Sequence, residues 1–109
     1  MDADAIEELF SGLGPVTIKR MFGGKGIYRN GLIVAIDLNS ELMLKADRDT
    51  APLFEAAGAR QWHYPGRAGK KPVFMPYWSI PDQALDDPDE MTRWARLAYD
   101  AAVRSARSG

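Results

Sequence analysis

The spacing of apolar residues changes repeatedly along this chain, and each change marks an element. Ile6, Leu9, Phe10 and Leu13 fall on one helical face, Asp4 to Glu7 has the spacing of a capping box, and Gly12, Gly14 and Pro15 end the helix. From Val16 the rhythm turns to two, through Ile18 to Phe22, which predicts a strand interrupted at Gly23-Gly24. A short strand over 26–29 runs into Asn30-Gly31, the pair that suits a two-residue hairpin turn with positive φ at both positions. Strands over 32–36 and 41–45 follow, separated by a turn at Leu38-Asn39-Ser40, so four strands read as one antiparallel meander.

Beyond the meander, Asp49 or Thr50 caps a short helix that tolerates Pro52 in its first turn, points Leu53, Phe54 and Ala57 inward and stops at Gly58. Strands over 61–64 and 73–75 flank a polar loop over 65–72, and Pro76 places the second of them at a sheet edge or a bulge. Asp87-Pro88-Asp89-Glu90 starts a last helix, with the stripe Met91, Trp94, Ala95, Ala98 and Ala102, that runs to about Ala106 and frays from Ser105. The predicted order is α-ββββ-α-ββ-α. That is an α+β domain of two layers, an antiparallel sheet with helices on one face.

With 109 residues, 46% of them apolar and 27% charged, the chain makes one domain, with an ordered core over about 4–106. Folding at this length hides roughly two-thirds of the unfolded chain's surface, enough for a core without staples. Cysteine is absent and His63 is the single histidine, which removes disulfides, thiol chemistry and Cys- or His-based metal centres. The apolar runs, such as 32–36, are far short of the about 20 residues that cross a membrane, and the acidic start is unlike a signal peptide. The expectation is a soluble cytoplasmic protein that uses no cofactor, no metal and no membrane.

Fourteen basic residues balance fifteen acidic ones, but they are segregated. No acid lies between Leu9 and Ile36, which hold Lys19, Arg20, Lys25 and Arg29, nor between Ala56 and Pro81, which hold Arg60, Arg67, Lys70 and Lys71. The acids gather where helices begin, which the helix dipole favours, and a basic binding face is the other reading of the same pattern.

Catalytic sets fail for want of members. No serine sits in a Gly-x-Ser-x-Gly turn, and Asp86-Asp87 and Asp47 with Asp49 are accounted for as caps. The run Gly66 to Lys71 departs from a phosphate loop in its glycine spacing, in the missing hydroxyl residue and in the strand that follows. Gly23-Gly24 is read as a bulge between two β runs. The aromatics Trp62, Tyr64, Phe74, Tyr77 and Trp78 flank the basic loop in the manner of single-stranded nucleic-acid binders, although strand aromatics also serve as core.

Gly14-Pro15-Val16-Thr17, Arg20-Met21-Phe22-Gly23-Gly24-x-Gly26-x-Tyr28 and Leu42-x-Leu44-Lys45-x-Asp47 resemble the TfoX N-terminal domain, the TfoX/Sxy family. Phe54-x-x-x-Gly58, Tyr64, Lys71-Pro72-x-x-Met75-x-Tyr77, and Asp87-Pro88-x-Glu90 with Trp94-Ala95 extend the likeness over about 9–102. The resemblance implies a fold similar to the secretion-chaperone-like arrangement. It also implies membership in a bacterial group named for regulators of natural competence that act with the cyclic-AMP receptor protein at particular promoters. Full-length competence regulators carry a second, C-terminal domain of helix-hairpin-helix type, for which this chain has no room.

The leading expectation is therefore a non-enzymatic regulatory module that binds a protein, either a transcription factor such as a cyclic-AMP receptor protein or its own copy as a homodimer. Its candidate binding residues are Arg20, Phe22, Gly23, Gly24, Tyr28, Lys45, Lys71 and Tyr77. Direct nucleic-acid binding by Arg67, Lys70, Lys71 and His63 is the alternative, and a small anion held by Arg20 and Lys45 on neighbouring strands is a third reading.

Overall fold

A computed structural model describes residues 1–21 and 23–108. Along the chain run α1 (Ala3–Leu9), β1 (Thr17–Met21), β2 (Gly24–Arg29), β3 (Leu32–Leu38), β4 (Glu41–Lys45), α2 (Ala51–Ala56), β5 (Gln61–Tyr64), β6 (Val73–Ser79), α3 (Asp82–Leu85) and α4 (Pro88–Ser108). The expected α+β order holds, with the single turn of α3 added; four residues are too few to show a helical period. The six strands form one antiparallel sheet in the order β1-β2-β3-β4-β6-β5.

Register explains the layering. Ile27, Ala35, Leu44 and Trp78 are successive cross-strand partners, and side chains alternate between faces along each strand, so this row points to one side. There it meets Phe54 of α2 and Met91, Trp94, Ala95 and Ala98 of α4 in the main core. The Phe54 ring sits between Trp94, 4.7 Å between centroids, and Trp78, at 6.2 Å. Alanine at 95, 98, 101 and 102 keeps the buried side of α4 shallow, so the long helix lies close to the sheet.

Both tight turns of the meander use left-handed backbone. Asn30 and Gly31 have φ of 52° and 79°, as the Asn-Gly pair predicts, and Asn39 and Ser40 repeat the geometry at 53° and 64° without a glycine. The β1–β2 connection corrects an expectation. Met21 pairs with Gly24 and Gly23 has φ of 70°, so Gly23 lies in a hairpin turn and Gly24 opens β2, and the pair does not bulge a strand; the bulge lies further on, between Ile27 and Tyr28.

Pro76 is not at an edge, because β6 lies between β4 and β5. It is accommodated by an irregularity instead. Gln61 faces Trp78 and His63 faces Phe74, so one residue of β5 spans three of β6, with Pro76 in the middle. The Gln61 side-chain amide donates to the Met75 carbonyl at 3.0 Å and the Ala46 amide donates to the Pro76 carbonyl at 2.9 Å, which satisfies backbone groups around the bulge.

Three helix details also differ from expectation. The cap of α1 is Asp2, whose carboxylate accepts from the Ala5 amide at 2.8 Å; Asp4 already lies inside the first turn, where its charge favours the dipole. Thr50 is the cap residue of α2, as one of the two expectations had it, but its side chain makes no capping hydrogen bond; Asp47 holds the turn instead, accepting from the amides of Asp49 and Thr50, and six helical residues bury Phe54 but leave Leu53 exposed. The end of α4 stays helical through Ser108 instead of fraying from Ser105, with Arg104 bound to Asp47. Asp87 caps the other end as predicted, accepting from the amides of Asp89 and Glu90.

Candidate functional site

The second face of the sheet has an apolar cluster of its own. Ile36, Met43 and Tyr77 are buried there, with Ile33, Leu38, Trp62 and Met75 packed around them, and among the described residues no helix side chain joins the group. These side chains bury one another across β3, β4, β5 and β6, and their outer surfaces form an open face.

Cations are laid over the aromatics of this face. Lys45 and Tyr77 are cross-strand partners, and the Lys45 ammonium stands 5.4 Å from the Tyr77 ring centroid. Lys19 of the edge strand β1 stands 4.9 Å from the Tyr28 ring. Both arrangements draw a cation to the negative face of a π system and hold the long side chain against the sheet. Tyr28 can lie flat because Gly26 is beneath it: a Cβ at 26 would come 3.0 Å from the ring. Tyr77 also touches Trp62, 6.4 Å between centroids, and burial, with a smaller contribution from Tyr28, raises its phenol above the ordinary tyrosine range.

Of the candidate binding residues, Tyr28, Lys45 and Tyr77 thus come together on one face. Arg20, Gly23 and Gly24 do not join them. In the row Arg20, Lys25, Asp37 and Leu42, side chains point to the helix side, and Leu42 enters the main core. Arg20 and the two glycines border a cleft of about 490 Å³ beside the β1–β2 hairpin, together with Lys25, Asp37 and Asn39. Asp37 is buried, with Oδ2 3.7 Å from the Met1 amino nitrogen and Oδ1 without a hydrogen-bond partner among the described residues. Gly24 has a packing reason, since a Cβ there would run into the Asp37 carbonyl oxygen.

The small-anion reading built on Arg20 and Lys45 is overturned. Their strands, β1 and β4, are separated by β2 and β3, and the two side chains leave opposite faces of the sheet. Phe22 lies outside the described residues. Lys71 sits apart from both groups, in the exposed connection between β5 and β6 with Arg67 and Lys70; His63 is exposed on β5, its ring 5.0 Å from that of Phe74.

The sequence marks Lys19 only within a basic run, Trp62 only among the stacking aromatics and Ile36 and Met43 only as strand residues, and assigns none of them to this face. Two-residue alternation carried across the hairpin registers groups Lys19, Ile36 and Met43, which form one cross-strand row with Gly26, whereas Trp62 joins them only through the irregular β5–β6 pairing. Among the described residues no group of three or more His, Asp or Glu side chains is arranged to hold a metal ion, and no helix is long and apolar enough to cross a membrane.

An antiparallel sheet with one helix-covered face and one open, cation-studded aromatic face defines a small α+β domain with a surface suited to contact. The chain matches the family model of the TfoX N-terminal domain over residues 8–102 and belongs to that family. Comparison with curated proteins returns no match.

Proposed function

We propose that this domain is a non-enzymatic regulatory module that acts by docking a protein partner in transcriptional control, on the open face of its sheet. The observation that supports the reading is the apolar Ile36–Met43–Tyr77 cluster on the face that no helix covers, walled by Ile33, Leu38, Trp62 and Met75, with Lys45 and Lys19 laid over neighbouring tyrosines. A desolvated apolar centre with aromatic anchors and a charged rim is the anatomy of a protein-binding patch. The rim carries Lys19 and Lys45, and its acid Glu41 is paired with Arg60 at 2.9 Å, so the complementary partner presents apolar side chains flanked by carboxylates. The family suggests the setting, a regulator bound to a transcription factor of the cyclic-AMP receptor type.

The test is site-specific photo-cross-linking in native cells, with the photoreactive residue placed at Lys45 or, on the exposed side of α4, at Arg96. The reading expects a transcription-associated protein captured from position 45 and lost on Lys19→Glu, with nothing from position 96. Capture from position 96 alone, or capture of a second copy of this chain in place of a partner, overturns it.

A further inference from the structure

The β5–β6 hairpin overhangs the rest of the sheet. Strand β4 ends at Lys45 and pairs only with Tyr77, Trp78 and Ser79 of β6, so Val73 and Phe74 are paired by β5 alone. The overhang exposes what an isolated ribbon would be expected to hide: Phe74 is 58% exposed and Tyr64 43%. Phe74 is half of a pair. The His63 ring lies 5.0 Å from it at 32°, which props the phenyl ring and leaves its other face to solvent.

The connection beyond is a built turn. The Lys70 amide donates to the Arg67 carbonyl at 2.7 Å and Gly69 has φ of 78°, the left-handed position of a tight turn, so Arg67 and Lys70 stand together at its two ends. At its neck Gly66 passes so close to Lys71 that a Cβ would strike the Lys71 carbonyl oxygen. Arg67, Lys70 and Lys71 are thereby gathered at the ribbon tip, a few residues along each strand from the exposed ring of Phe74. No acid occurs anywhere between Glu55 and Asp82, so nothing within the ribbon neutralises them.

We infer that this ribbon is a contact for single-stranded nucleic acid, with the sugar–phosphate chain on the three cations and a base stacked on the free face of Phe74. Exposed aromatics beside a cationic track are what such strands require, since every base offers a π face and every linkage a negative charge. Three charges and one or two stacking rings make a weak contact. It gains effect when the domain is already held near nucleic acid by a partner, because the second contact is then intramolecular. The inference stands apart from the open-face reading and uses none of its residues.

Fluorescence anisotropy of a labelled oligothymidine against the whole chain, from low to physiological salt, tests it. The expected result is micromolar or weaker binding with a log–log salt slope near −2, since each neutralised phosphate contributes about 0.7 for single strands. Changing Arg67, Lys70 and Lys71 together to alanine flattens the slope, whereas Phe74→Ala weakens binding roughly fivefold or more and leaves the slope intact. Removing Arg48, Arg96 and Arg107 instead, the same charge taken from elsewhere, leaves affinity within about twofold of the parent. All these side chains are exposed, so the variants keep the parental unfolding midpoint. Absence of binding at low salt, equal loss in the two triple variants, tighter binding to the matching duplex, or binding to anionic phospholipid vesicles without binding to the oligonucleotide would each overturn the inference.

Discussion

Arg104, near the end of α4, forms a two-pronged ion pair with Asp47 at the mouth of α2: Nε lies 2.6 Å from Oδ2 and Nη2 3.1 Å from Oδ1. The same carboxylate accepts the amides of Asp49 and Thr50, so one side chain fixes the β4–α2 turn and the far end of the longest helix. Its charged form is favoured accordingly. The Arg104 hydrogen bonds, opposed by burial and helped by the Thr50 amide, lower the Asp47 pKa from 3.8 to about 2.

A depressed carboxylate contributes stability that is fully present above its unfolded pKa and is lost as pH falls through the folded one. For Asp47 that window runs from about 4 down to 2. After solvent screening the contribution is on the order of 1 kcal/mol. Urea midpoints measured at pH 5 and pH 2.5 in the parent and in Asp47→Asn check this: the variant is less stable at pH 5, and the gap between the two proteins narrows at the lower pH.

The two hairpin turns of the meander predict opposite outcomes. Gly31→Val forces a β-branched residue into φ of 79°, and since a Cβ there meets nothing within 4 Å the cost is backbone strain alone, about 1 kcal/mol or more. Ser40→Gly relieves a non-glycine residue held at φ of 64° and stabilises by roughly 0.5 kcal/mol, the unfolded chain's extra freedom offsetting part of the gain. Chemical denaturation of both variants reads the signs directly.

Trp94 is 2% exposed, and its ring lies 4.7 Å from that of Phe54. Trp94→Ala removes the main anchor of α4 on the sheet and costs roughly 3–5 kcal/mol. Thermal unfolding of the variant is the measurement; a midpoint near the parent's would mean that α4 is held by its alanines and Met91 instead.

The adjacent glycines of the β1–β2 hairpin separate strain from space. At Gly23 a Cβ has open surroundings and φ of 70°, so Gly23→Ala costs about 1 kcal/mol through strain alone. At Gly24 the obstacle is the Asp37 backbone, so Gly24→Ala must part β2 from β3 and costs more than its neighbour does. Paired denaturation curves rank the two.

What the sequence made legible follows the range of the forces involved. Asn30-Gly31, the Asp87-Pro88 start and the stripe of α4 are local, and they fall where pattern reading puts them. Strand order is not local. Nothing near Pro76 says that β6 slides between β4 and β5, so only the bulge half of its reading survives. The open face was half legible for the same reason: Tyr28, Lys45 and Tyr77 stand out as residue types, but their separation from Arg20 depends on which strands lie between. Leu53 shows the converse error, a helical face assigned to a helix only six residues long.

The place of β6 has a consequence for how the chain reaches its fold. Residues 17–45 pair with near neighbours and can form their meander early, since hairpin contacts close short loops. The sheet is completed only when β6 arrives and Trp78 extends the helix-side row of Ile27, Ala35 and Leu44; Ile6, Phe10 and Phe54 cover part of that row, and α4 supplies the rest of its roof. On a ribosome the meander therefore emerges with only the α1 end and α2 to cover its greasy side and must wait for about sixty more residues, some seconds of synthesis, before α4 completes the roof. Nascent chains stalled between Lys45 and Pro88 are the species that chaperones would hold and that aggregate most readily, even though the finished domain is small.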